Sequence, residues 1–165
     1  MPDFSLPDLV KDWAAQVAIL VEVAIAMALG GLIGFEREMA DRPAGLRTHL
    51  LVAGAAALMV GLGDSLLSSF LSHRSHEMIR SDPIRVIQAI VIGIGFLGTG
   101  TIFRDGNGHV EGLTTAASLL LTAGIGISVA MRQFILALGV TMFTVLVLHT
   151  LKWLEQRLKR KHTGQ

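Results

Sequence analysis

Five long apolar blocks, at 16–35, 48–71, 84–103, 113–131 and 134–154, divide the chain, and each matches the roughly 20 residues a helix needs to cross the hydrocarbon of a bilayer. Lipid offers no hydrogen bonds to an exposed backbone, so such blocks must satisfy their own as helices or as a closed barrel. A barrel would need short segments that alternate apolar and polar residues. These blocks are continuously apolar and dotted with Gly and Ala, so the expected fold is all-α: a polytopic transmembrane helical bundle of about five spans. Composition agrees, with 16% charged residues where a soluble domain carries about 25%.

The charges between the blocks set an orientation. With the N-terminus outside, Arg37, Arg42, Arg47, Arg104, Lys152, Arg157, Lys159, Arg160 and Lys161 fall on the cytoplasmic side, against Lys11, Arg74, Arg80, Arg85 and Arg132 outside; basic residues concentrate on the cytoplasmic face. Asp3, Asp8 and Asp12 against a single Lys11 leave the N-terminus without the basic region of a cleavable signal peptide. The expected organisation is a periplasmic N-terminal segment at 1–15, a transmembrane domain at 16–154 and a short basic cytoplasmic tail at 155–165, its run of Lys and Arg forming a helix on the anionic leaflet. With no Cys, disulfides and thiolate chemistry are excluded. Aromatic residues make up 5% of the chain and interleave with no basic patch, so nothing supports nucleic-acid binding.

The first two helical hairpins look alike. Phe35-Glu36-Arg37 and Phe103-Arg104-Asp105 close spans one and three, while Gly45-Leu46-Arg47-Thr48 and Gly112-Leu113-Thr114-Thr115 open spans two and four. This pattern reads as a parallel repeat of two hairpins, with the fifth helix added.

Further motifs run in order along the chain: Glu36-Arg37, Ala44-Gly45-Leu46-Arg47-Thr48-His49, Asp82-Pro83-x-Arg85, Gly93-Ile94-Gly95-Phe96-Leu97-Gly98-x-Gly100-x-Ile102-x-Arg104 and Val110-x-Gly112-Leu113-Thr114-Thr115-Ala116-Ala117. In these the chain resembles the MgtC/SapB family. The resemblance implies a bacterial inner-membrane protein of about five spans, linked in some members to growth at low magnesium and to survival inside host cells. It brings no biochemical activity, and longer members add a soluble C-terminal domain.

Small residues recur at four-residue spacing: Ala26, Gly30 and Gly34 on span one, Ala53, Ala57 and Gly61 on span two, and Ser118, Thr122, Gly126 and Ala130 on span four. Such stripes let helix backbones approach closely in lipid, so helix packing is favoured over a ligand groove. Gly95 and Gly98 of span three join this set. The run from Gly95 to Gly100 is no phosphate loop, since neither a strand nor a Lys flanks it; it is expected to loosen the third helix locally.

Ionisable residues within the blocks mark candidate sites. Glu22, Asp64, Arg85 and Gln88 share the outer half of the membrane. A buried carboxylate there must be protonated, paired or bound to a cation. Arg85 is the expected partner of one carboxylate; otherwise Glu22 and Asp64 form a cation or proton site, and one or two carboxylates are compatible with Mg²⁺. On the cytoplasmic side Glu36, Arg37, Arg47, Thr48, Arg104 and Thr114 gather near two helix starts, where free N–H groups and Arg could hold an anion or an acidic partner segment; mutual ion pairing is the competing reading. His73, His76 and Glu77 have metal-compatible spacing but read as a solvated loop.

The expectation is a non-enzymatic, homo-oligomeric and most simply dimeric inner-membrane protein, in contact with membrane lipid, that binds or regulates another membrane component in low-magnesium or envelope stress. The alternative is a small cation transporter or channel, for Mg²⁺ or coupled to protons. No cofactor is expected.

Overall fold

In the computed structural model the described residues are 6–73, 83–104, 106 and 108–162, with side chains placed for 13–67, 84–104, 106 and 108–150. Five helices carry the chain: α1 Leu6–Met39, α2 Leu46–His73, α3 Pro83–Thr101, α4 Leu113–Ala130 and α5 Phe134–His162. A two-residue pair of strands, β1 Phe103–Arg104 and β2 Val110–Glu111, closes the α3–α4 connection with Phe103 opposite Glu111. Four helices, α1 to α4, are long and apolar enough to cross a membrane, and α5 is apolar over Phe134–Thr150. The protein is therefore a multi-pass helical membrane protein. The expected spans fall within these helices, except that Ile102 and Phe103 lie beyond the end of α3 and Met131 beyond the end of α4. The basic tail forms no separate helix, because α5 runs on to His162.

Helix ends follow backbone rules. At the end of α1 the Arg42 amide donates to the Arg37 carbonyl (3.1 Å) and the Asp41 amide to the Glu38 carbonyl (3.1 Å), with Asp41 left-handed at φ 52°. The end of α4 repeats this pattern, with Gln133 to Ser128 (2.8 Å), Arg132 to Val129 (2.8 Å) and Arg132 at φ 60°. Both are Schellman ends, in which glycine is usual and another residue costs about 1 kcal/mol. At the start of α4, Gly112 sits at φ 89° against the Thr101 carbonyl, where no side chain would fit.

Close approach organises the bundle around α4, which touches α1, α2, α3 and α5. A Cβ on Gly30 would lie 2.7 Å from the Ala53 Cβ and 2.8 Å from the His49 carbonyl oxygen. One on Gly34 would lie 2.8 Å from the Leu46 Cα, and one on Gly126 would strike the Ala53 carbonyl. Ala26, Ala57 and Thr122 are buried beside them, while Gly61 meets Ile19 and Gly98 meets Ala116. Because lipid is as apolar as leucine, this backbone contact is what holds the helices together. Buried hydroxyls cost little here, since Ser118, Thr122 and Thr141 each donate to a carbonyl of their own helix.

Two expectations for α3 fail. Gly95 packs against nothing within 4 Å, because the neighbour-facing side of α3 is carried instead by Val86, Ile90, Ile94 and Gly98. Nor is the helix loosened: α3 is continuous to Thr101, and the Thr99 hydroxyl adds a bond to the Gly95 carbonyl (2.9 Å).

Candidate functional site

At the end of the bundle that holds the first half of α1, the helices part around a cavity of about 580 Å³. Glu22 of α1 and Asp64 of α2 both line it, together with Gly61, Val86, Ile87 and the Met131–Arg132 turn. Glu22 lies one helical turn from Ala26, whose burial fixes that face of α1 towards the interior. Its carboxylate is 12% exposed and accepts from Arg132 Nε at 3.2 Å, while Arg132 itself is 74% exposed. The left-handed turn thus carries a cation back onto α1.

Arg85 and Gln88 are not part of this site. Val86 points to α2, its Cγ2 lying 3.3 Å from where a Cβ on Gly63 would be. At about 100° per residue that phase turns Arg85 and Gln88 away, and both are exposed outside the cavity lining. The structural partner of Glu22 is therefore Arg132. A signal for it existed in the sequence: Arg132 is the charge in the shortest turn, on the same side of the membrane as Glu22. Among the described residues, no three His, Asp or Glu gather closely enough to hold a metal ion. His76 and Glu77 lie outside the described residues, as does the side chain of His73.

At the opposite end the buried polar groups are paired within the chain. Arg37 is 4% exposed and its Nε donates to Glu36 at 2.7 Å. The Glu38 carboxylate accepts from the Leu46 amide at 2.7 Å, so the positive start of α2 already holds an anion from its own chain. Arg47, Arg104 and Thr114 are exposed and Thr48 is half-buried, and the expected cytoplasmic cluster separates into a buried ion pair and scattered surface groups. His49 was not among the expected site residues. It is fully buried, its Nδ1 donating to the Gly45 carbonyl (3.0 Å) and its Nε2 meeting the Ser118 hydroxyl (3.2 Å), which ties α2 to α4. Its position two residues past Arg47 in a Gly-Leu-Arg-Thr-His start was visible, but nothing in the sequence paired it with Ser118.

The MgtC family model matches residues 23–157. The chain belongs to the MgtC family. It is similar to Protein MgtC of Salmonella typhimurium strain LT2, 40% identical over 141 residues that cover 86% of this chain and 55% of the relative. Protein SapB of Bacillus subtilis is 29% identical over 146 residues, covering 88% of this chain and 62% of its own length. Protein MgtC of Brucella abortus is 49% identical over 105 residues, 64% of this chain and 39% of the relative. The chain thus spans about 55–62% of the length of the first two relatives. No solved structure matches it.

Proposed function

We propose that this MgtC-family protein is a non-enzymatic component of the bacterial inner membrane, oriented with its N-terminus outside. In this reading it self-associates as a dimer and binds or regulates another membrane protein during low-magnesium or envelope stress and intracellular survival. The observation that carries the reading is the outer face of α3. Gly95 opens onto space with no described atom within 4 Å, between exposed Ile92 and Phe96, while Gly93 and Gly100, also uncovered, lie roughly 140–160° away around the helix. Glycine inside a spanning helix lets a second helix approach its backbone closely, and among the described residues nothing packs on Gly95. In this Cys-free chain, single cysteines at Ile92 and Phe96 should crosslink in cells to a second copy or to another membrane protein, while a cysteine at Met142 on α5 should not. Equal yields at all three positions would mean that α3 faces lipid alone.

A second reading draws on the cavity. Glu22 and Asp64 line one space, which favours a cation site between them and, through it, the transport alternative. Neutralising both carboxylates should then abolish cation-dependent protection against unfolding, and undiminished protection in the double variant would end this reading.

A further inference from the structure

The outer side of α3 carries a polar group that hydrocarbon cannot serve. Gln88 is the fifth residue of the Ile84–Thr101 span, about 6 Å inside it at 1.5 Å per residue. It is exposed, and its amide has no hydrogen-bond partner among the described residues. An unpaired amide in lipid is costly, and within spanning helices such groups pair across to another helix. We propose that α3 packs in parallel against α3 of a second copy of this chain, with the two Gln88 carboxamides hydrogen-bonded to each other across the two-fold axis. The proposal rests on the reading that the outer face of α3 is an association surface, and it names the partner and the contact.

One face of the helix is already in use. Val86, Ile90, Ile94 and Gly98 meet the rest of the bundle, and at about 100° per residue the line of Gln88, Ile92, Gly95 and Thr99 lies roughly 150° away from them. All four residues of that line are exposed, Ile92 to 73%. Their spacing of four, three and four residues is that of the seam between two helices wound round each other at a shallow angle. Gly95 sits within the seam, where a second backbone can come close, and no described atom lies within 4 Å of it. The Thr99 hydroxyl donates to the Gly95 carbonyl (2.9 Å), so of the two polar side chains in the seam it is Gln88 that needs a partner. Among the four spans α3 is also the least buried, with 17% of an 18-residue stretch covered against 33–44% in the others.

Symmetry makes a second copy the occupant that fits. Two copies inserted in the same sense pair about an axis along the membrane normal, which sets the two α3 helices parallel and brings each seam residue opposite itself. A carboxamide holds both a donor and an acceptor and is its own complement, whereas a carboxylate or an ammonium would meet a like charge. Arg85 is compatible with this arrangement. It stands about 60° from Gln88 around the helix, at the second residue of the span, where a long cationic side chain extends to the headgroups.

Single cysteines in this Cys-free chain, oxidised in native membranes, read the seam directly, because a disulfide between identical positions forms only near the axis. Dimer yield should be high at Ile92 and Thr99 and at least fivefold lower at Gly93 and Leu97, which lie on other sides of α3. In lipid vesicles, Gln88→Leu should weaken association of the full chain at least threefold, read by energy transfer between copies labelled at the C-terminus. Gln88→Asn keeps the carboxamide and should retain most of the association. Both variants should unfold at the temperature of the unmodified chain, since Gln88 is exposed. Equal dimer yields at the four cysteine positions, or equal association of Gln88→Leu and Gln88→Asn, overturn the proposal. Crosslinks from Ile92 and Thr99 to a protein of different mass, with none between copies, overturn the second copy as partner and keep the outer face of α3 as an association surface. Crosslinks of neither kind at any α3 position overturn that reading as well.

Discussion

On α1 and α4, Gly30 and Gly126 lie against the backbone and side chains of α2, whereas on α3, Gly93, Gly95 and Gly100 look onto open space. Both sets stand in helices of the same apolar character, and both read alike as sequence. The difference lies in what surrounds them. Where α1, α2 and α4 converge, a missing side chain is filled by a neighbour's backbone, and the helices are held at that distance by van der Waals contact. On α3 the same missing side chain leaves backbone that no other described residue covers.

The sharpest test of that contrast is Gly126→Leu, which must displace the Ala53 carbonyl of α2. A loss of about 3 kcal/mol or more is expected in unfolding from detergent, at the upper end of ordinary overpacking costs because backbone cannot rotate out of the way. Gly30→Leu, facing both Ala53 and the His49 carbonyl, should cost a similar amount. Gly124 lies on the same helix two residues away with no described atom within 4 Å, so Gly124→Leu should cost nothing, with a gain of up to about 1 kcal/mol from leucine's helix propensity. Equal losses at positions 124 and 126 would break the distinction between packed and open glycine.

Much of this architecture was legible because lipid imposes simple rules. Block length and continuous apolarity located the five helices, though α1 begins at Leu6, ten residues before the first block, and α5 runs on to His162, eight beyond the last; of the residues at four-residue spacing, Ala26, Gly30, Gly34, Ala57, Gly61, Thr122 and Gly126 lie against neighbouring helices. Gly95 shows the limit of that rule, since spacing says which residues share a face and not which face meets a neighbour. Phase explains the error at Arg85 in the same way: its rotation about α3 turns it away from the cavity. Arg132 and His49 depended on tertiary approach, the first across 110 residues to Glu22 and the second across 69 to Ser118. Glu38 filled the start of α2 by a contact eight residues long, which local capping patterns do not include.

The two ends of the bundle extend the comparison, one with His49 and Arg37 buried and the other with a cavity at Glu22. At the open end the ion pair and the left-handed turn oppose each other. Arg132→Met should lose about 1 kcal/mol, because Arg132 is mostly exposed and an ion pair of that kind contributes no more. Arg132→Gly removes the same pair but relieves a φ of 60°, a relief of about 1 kcal/mol, so its net change should be near zero. Glu22→Gln added to Arg132→Met should recover the loss, since no unpaired carboxylate remains. If the methionine and glycine variants unfold alike, the turn carries no strain and Arg132 acts through its side chain only.

A substitution with no stability cost carries the contrast furthest. Gly95→Leu places a side chain into empty space on a continuous helix, where the greater helix propensity of leucine offers a gain of up to about 1 kcal/mol. The isolated protein should therefore unfold at the same temperature or slightly higher. What should change is association, because a leucine at position 95 lifts any approaching helix away from the α3 backbone. Crosslinking through a cysteine at Phe96, in the chain that also carries Gly95→Leu, reads this directly and should fall while thermal stability holds. A variant that lost stability would show that α3 is packed where the structure leaves it bare. One that kept both stability and crosslinking would show that the partner touches α3 through side chains alone, and the open glycines would then be no more than a thin place in the helix.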